Sequence, residues 1–209
     1  MELSVEKLDF YFSGKVPAVM GFDVEKAVAK PGIFSSKCAN IPVEISMVSG
    51  DEGNDCVLHS YIYHNPSYIL SYNTWITKIN RETLKTAPPF KFVQNQLKKI
   101  LLTHNPLLVG CNIRNDLKCL DIEYENTFDL HDFFYEYSYD AHALQPISLR
   151  RIVHKFYNVD IHKTHHNCTT DSEYSVKVYT EIYKNWNNLT KYNMFPFPPF
   201  SPFCFPKVI

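Results

Sequence analysis

The first apolar stretch, residues 16–24 (VPAVMGFDV), is short, interrupted by Pro17 and Gly21, and leads into an acidic pair. Its length and composition predict a buried strand. Residues 41–48 (IPVEISMV) and 57–63 (VLHSYIY) are similar, and the turn formers between 50 and 55 separate them, so a three-stranded start is expected. From 88 to 104 the pattern changes. Phe90, Val93, Leu97, Ile100 and Leu101 recur at helical spacing behind a Pro-Pro entry, which suits a first turn. Residues 107–111 (LLVGC) predict another short strand, and Asn112 is placed to cap a helix that turns Ile113, Leu117 and Leu120 inward. Two further helices are expected over 148–157 and 172–186, the second carrying Tyr174, Val178, Ile182 and Trp186 on one face. Strands first and alternating helices later predict an α/β fold, a mixed β-sheet flanked by α-helices.

Composition narrows this picture. At 209 residues, with 45% hydrophobic and 21% charged residues, the chain suits one globular domain over 1–209 and fits neither a disordered nor a membrane-spanning class. The tail 194–206 (MFPFPPFSPFCFP) holds five of the 13 prolines, which bars a helix or central strand; an extended strap over 194–209, packed back on the domain, is expected. The N-terminus lacks the pattern of a signal peptide, so an intracellular location, cytoplasmic or nuclear, is expected, with no membrane partner. The six cysteines form no CxxC pair and read as thiols or metal ligands. A net charge of −1 offers no global positive field, so a nucleic-acid site must be a local patch.

Four carboxylates and a histidine carry the chemistry. Asp23 and Glu25 are two apart in the first strand, so period-two geometry points both to one face. Asp116 lies one helical turn beyond Asn112, close to a strand end, where α/β sheets gather ligands. His166 falls on an irregular stretch, and Asp171 opens the final amphipathic helix. Hard oxygen ligands of this kind suit two Mg²⁺ or Mn²⁺ ions, about 4 Å apart, astride a scissile phosphate. An imidazole titrates near neutrality and suits the proton transfer from the attacking water. Singly, each motif also reads as a surface turn, a helix cap or an exposed first-turn acid. Their order and placement together argue for a catalytic set.

The segments Asp23-Val-Glu25, Asn112-x-x-x-Asp116 and His166-x-x-x-x-Asp171 resemble the three motifs of the DEDDh 3′–5′ exonucleases, and SLRRIVHKFYNV resembles the helix before the third motif. That resemblance implies an RNase H-like, DnaQ-type fold and an active hydrolase of phosphodiester bonds. A narrower resemblance lies over it: IPVEISMVSG, LHSYIYHNPSYILSYN and TWITKIN look like the Maelstrom domain, a branch known from small-RNA silencing. Animal members of that branch have generally lost the acids and carry a Glu-Cys-His-Cys zinc cluster. Keeping all five positions makes this chain look like a nuclease-competent member. Glu44 matches the cluster's glutamate, and His162, His165 and Cys168 follow at three-residue intervals, so a structural Zn²⁺ on these four is a further expectation, with Cys111 and Cys119 as other candidates.

Single-stranded RNA is the expected substrate, with DNA left open, because an extended strand threads into a metal pocket more readily than a duplex. The choice of RNA rests on the Maelstrom resemblance. Arg114, Lys118, Arg150, Arg151 and Lys163 flank the motifs and are the candidates for steering phosphates. The rival reading is a catalytically silent RNA-binding Maelstrom domain; binding alone has no need of four metal-binding carboxylates.

Overall fold

The computed structural model describes residues 10–32, 39–51, 53–138 and 140–184. The strap expected over 194–209 and Trp186 lie outside them. The main sheet has seven strands: β1 (Phe10–Phe12), β2 (Val19–Ala29), β3 (Asn40–Ser49), β4 (Cys56–Tyr61), β5 (Ile69–Ser71), β6 (Leu107–Gly110) and β7 (Thr127–Asp129). Their order is β1-β4-β3-β2-β6-β7, with β5 also on β2. The first four pair antiparallel, whereas β6 and β7 run parallel to β2, which makes the sheet mixed as expected. A hairpin of β8 (Tyr135–Ser138) and β9 (Ala143–Pro146) stands apart.

The helices are α1 (Thr74–Thr77), α2 (Arg81–Leu84), α3 (Phe90–His104), α4 (Ile113–Cys119), α5 (Leu149–Tyr157) and α6 (Cys168–Lys184). Alternation along β2 assigns them to layers. Met20, Phe22 and Val24 join Leu97, Ile113 and Leu117 in a core beneath α3 and α4. On the opposite face, Val109, Ile152, Val178 and Ile182 form a second core beneath α5 and α6. A third, smaller cluster gathers Ala27, Val43, Ile69 and Leu84 at the far end of β2. Among the described residues, no helix is long and apolar enough to cross a membrane.

Two features of β2 prepare the site. β6 pairs with Val19–Gly21 and β5 with Val28 and Ala29, so residues 22–27 have no strand partner on that side. Gly21 then lets α6 approach: a Cβ there would lie 1.9 Å from the Ser172 carbonyl oxygen, a distance no side chain tolerates. The close crossing is fixed further by the Cys168 thiol, which donates to the Asp23 carbonyl at 3.1 Å, and the Ser172 hydroxyl, which donates to the Ser46 carbonyl at 3.1 Å. The first turn of α6 is thereby laid over the middle of β2.

Several boundaries differ from expectation. The strand expected over 16–24 starts at Val19, after Pro17, and continues to Ala29, so Asp23 and Glu25 are mid-strand rather than terminal. The last helix begins at Cys168, because Asn167 caps it by accepting from the Thr170 amide at 2.9 Å. Asn112 makes no side-chain cap. It adopts a left-handed conformation with φ of 70°, and its amide donates to Asp129 at 2.8 Å.

Candidate active site

Oxygens of Asp23, Glu25 and Asp171 lie within 4.8 Å of one another. Period two turns Asp23 and Glu25 toward the α6 face, and Gly21 lets α6 bring Asp171 down onto them. Burial and mutual repulsion work in one direction here. Asp23 is pushed well above the usual carboxylate range by burial, then by Asp171, Asp116 and Glu25. Glu25 rises to about 8, again by burial first and Asp171 next. Glu25 Oε1 is buried and accepts no hydrogen bond. A buried carboxylate oxygen without a hydrogen bond, beside two more carboxylates, fits a divalent cation, whose charge would reverse the local repulsion.

Asp116 stands differently. α4 belongs to the layer on the other face of the sheet, and Asp116 acts on Asp23 and Glu25 electrostatically without joining their close set. One of its oxygens is paired with the Lys26 ammonium, and the other is buried without a partner. Its pKa is raised to about 7 by burial, with Lys26 opposing. The expected convergence of five groups is therefore close for four and looser for Asp116. Lys26 was not among the residues singled out from sequence. The strand expected over 16–24 stops short of it, whereas β2 continues to Ala29 and alternation then puts Lys26 on the α4 face with Phe22 and Val24.

Two histidines face the acids. His166 Nδ1 lies 3.7 Å from Asp171 and 3.8 Å from Glu25, and its amide donates to the Ile76 carbonyl at 2.8 Å. His162 stacks on the His166 ring at 3.6 Å and places Nε2 at 2.8 and 3.0 Å from the two Asp171 oxygens. Burial, and next the neighbouring His162, lowers the pKa of His166. A cleft of about 550 Å³ opens over the group, and Asp23, His162, His166 and Asp171 line it together with Trp75 and Arg150. Trp75 is 78% exposed at the rim.

The four expected zinc donors do not assemble. Glu44 pairs with His59 at 2.7 Å, His162 with Asp171, and His165 with the Thr164 hydroxyl at 2.8 Å. Cys168 is buried against the Asp23 carbonyl, and burial raises its thiol well above the ordinary value. Among the described residues, the metal-competent groups are Asp23/Glu25/Asp171 and His162/His166/Asp171, so the zinc expectation is corrected and His162 moves to the acidic site. Cys111 and Cys119 join neither group. The basic residues fare unevenly. Arg150 lines the cleft but is held by Asp160 through two 2.7 Å hydrogen bonds, Arg114 pairs with Asp132 at 2.7 Å, and Arg151 pairs with Glu136. Lys118 and Lys163 are exposed and do not line the cleft.

Comparison with known proteins bears on the fold and the family. The chain is 25% identical over 179 residues to RNA exonuclease 4 of Xenopus laevis, covering 78% of this chain and 42% of that protein. It is 24% identical over 183 residues to small RNA degrading nuclease 2 of Arabidopsis thaliana, covering 78% and 38%. The chain thus spans less than half the length of these curated relatives. In fold it is similar to the nuclease-containing catalytic unit of Neurospora crassa Pan2, with a TM-score of 0.69 at 17% identity over 87% of this chain and 30% of that one. It is also similar to the Saccharomyces cerevisiae Pan2 exonuclease module solved with AAGGAA RNA, with a TM-score of 0.71 at 16% identity over 87% and 32%. These likenesses bear out the expected RNase H-like architecture. The RNase_T exonuclease family matches residues 21–179, a span that contains all four acids and both histidines of the site, and the chain belongs to that family.

Proposed function

We propose that this chain hydrolyses single-stranded RNA from its 3′ end, using divalent cations held by Asp23, Glu25 and Asp171 with Asp116 beside them. The observation that carries the reading is the set of three crowded carboxylates, Glu25 and Asp171 buried and Asp23 half-buried, with a Glu25 oxygen that accepts no hydrogen bond, beside an open cleft that Asp23 and Asp171 line. All-oxygen ligation favours Mg²⁺ or Mn²⁺ over softer metals. When bound, such ions supply charge stabilisation to the attacking and leaving oxygens of the phosphate. The protein's own groups do the rest. With its pKa lowered, His166 is neutral near pH 7 and able to accept the proton of the attacking water. His162 fixes the ring plane of His166 by stacking and orients Asp171 through its 2.8 Å contact. Exposed Trp75 offers a face on which the terminal base can stack.

Relatives named RNA exonuclease 4 and small RNA degrading nuclease 2 support RNA over DNA. The Maelstrom branch rests on its three sequence segments, and the zinc cluster of its animal members is not assembled here. A silent binding domain therefore has less behind it than a nuclease. The test is incubation of 5′-labelled single-stranded RNA with purified protein and Mn²⁺, beside Asp23→Asn and EDTA controls. A ladder shortening from the 3′ end, absent from both controls, is expected; intact RNA in every lane refutes the proposal.

A further inference from the structure

A second cavity, of about 330 Å³, lies outside the acidic cleft. Its walls include Tyr63, His64 and Tyr72, and its edge carries Arg81, Glu82 and Lys85. The volume is at the lower end for a small-molecule site and suits one nucleotide rather than a larger ligand. Tyr63 is 37% exposed, so a ring face is open to solvent. His64 is fixed by its Nε2 bond to the Pro42 carbonyl at 2.7 Å and by stacking on Phe90, so the wall behind the tyrosines is rigid.

The charges set this cavity apart from the arginines that flank the catalytic motifs. Arg114, Arg150 and Arg151, which flank the catalytic motifs, are each neutralised by an acid. Arg81 makes no ion pair among the described residues, and it acts electrostatically on the Tyr72 hydroxyl. Glu82 is the one acid of the lining and sits 3.8 Å from Lys85, both about three-quarters exposed, an arrangement worth little. Two cations against one acid leave the rim positive. Aromatic faces with an unneutralised guanidinium are the combination that holds a base and its phosphate without reading sequence.

Position links the cavity to the cleft. Tyr72 lines one and Trp75 lines the other, and three residues of chain reach at most about 11 Å. We propose that the Tyr63–Tyr72–Arg81 cavity is an accessory site for a nucleotide of the same single strand, upstream of the one at the carboxylates. The inference rests on the nuclease reading and adds to it: the enzyme would measure strand length and favour oligomers over dinucleotides.

The experiment compares wild type with Arg81→Ala and Tyr63→Ala on a 12-nucleotide single-stranded RNA and on a dinucleotide, with Mn²⁺. It is paired with binding of the fluorescent 12-mer in EDTA, which stops hydrolysis. Each variant should raise KM and Kd for the 12-mer roughly fivefold or more, leaving kcat and dinucleotide cleavage at wild-type values. Arg81→Ala should also reduce the slope of log Kd against log salt by about one unit. Variants that match wild type in 12-mer binding and KM overturn the accessory site and leave the cavity to a protein partner. Loss of 12-mer binding in the variants, from a wild type that cleaves neither substrate, upholds the site while removing the nuclease reading.

Discussion

The two halves of the acidic constellation are stabilised in different ways. Asp116, reached from the α4 side, has its own cation in Lys26. Asp23, Glu25 and Asp171, on the α6 side, face one another beside His162 and His166, with Lys26 opposing the rise of Glu25 without pairing to it, and burial raises Asp23 and Glu25. The first half is compensated in the metal-free protein; the second is held together by backbone packing against its own repulsion. A site of this kind trades stability for a ready-made place for positive charge.

The most severe break is Asp23→Asn. It removes the carboxylate at the centre of the uncompensated half, and hydrolysis of single-stranded RNA should fall roughly a thousandfold, several kcal/mol of lost transition-state stabilisation. The same change relieves repulsion, so the EDTA-treated variant should melt above EDTA-treated wild type in a thermal scan. A variant both inactive and less stable would refute the idea of stored repulsion.

Next comes the scaffold of that half. Gly21→Ala sets a methyl group 1.9 Å from the Ser172 carbonyl oxygen and must push α6 off β2. The expected loss is about 3 kcal/mol in a urea titration, the upper end for overpacking, with activity falling because Asp171 moves away from Asp23. An unchanged midpoint would mean that α6 does not cross β2 so closely. Lys26→Met tests the other half and should cost about 2 kcal/mol at pH 8, since buried Asp116, ionised beside Lys26 in the wild type, must then take up a proton that is scarce at that pH. At pH 6 the cost should shrink, because Asp116 can then take a proton. A cost equal at both values would show that the ion pair contributes nothing.

What the sequence made legible follows the same division. α3 was readable because five apolar residues at helical spacing bury one face, and the structure starts it at Phe90, directly after the two prolines. The acids were readable because period two and helix-start placement are local. β1, β5 and β7, each three residues long, carry too little pattern to be recognised. Lys26 was hidden because the expected strand stopped at Val24, and His162 by its place in a His-rich loop that suggested zinc as readily as a hydrogen bond to Asp171. The Arg114, Arg150 and Arg151 ion pairs join residues 10 to 18 positions apart in tertiary contact, which no local rule supplies.

The subtlest difference between the halves is in pH. In the folded protein Glu25 rises from 4.5 to about 8, and Asp116 from 3.8 to about 7. A carboxyl whose folded pKa is raised binds its proton more tightly in the folded than in the unfolded state, so its stabilising contribution is complete below the unfolded value and is lost as pH rises through the folded one. The EDTA-treated protein should therefore lose melting temperature steadily between pH 5 and pH 8. A divalent ion needs the ionised oxygens, so its binding releases protons and strengthens over the same window. Manganese should then raise the melting temperature more at pH 8 than at pH 6, by a few degrees, the shift that about 1 kcal/mol brings to a chain of this size. Asp23→Asn should flatten the metal-free slope by removing a carboxyl whose own pKa is raised, whereas Lys26→Met should steepen it by letting Asp116 rise further. A metal-free melting temperature that climbs from pH 6 to pH 8 would mean that the three acids of the α6 side are not crowded together in solution.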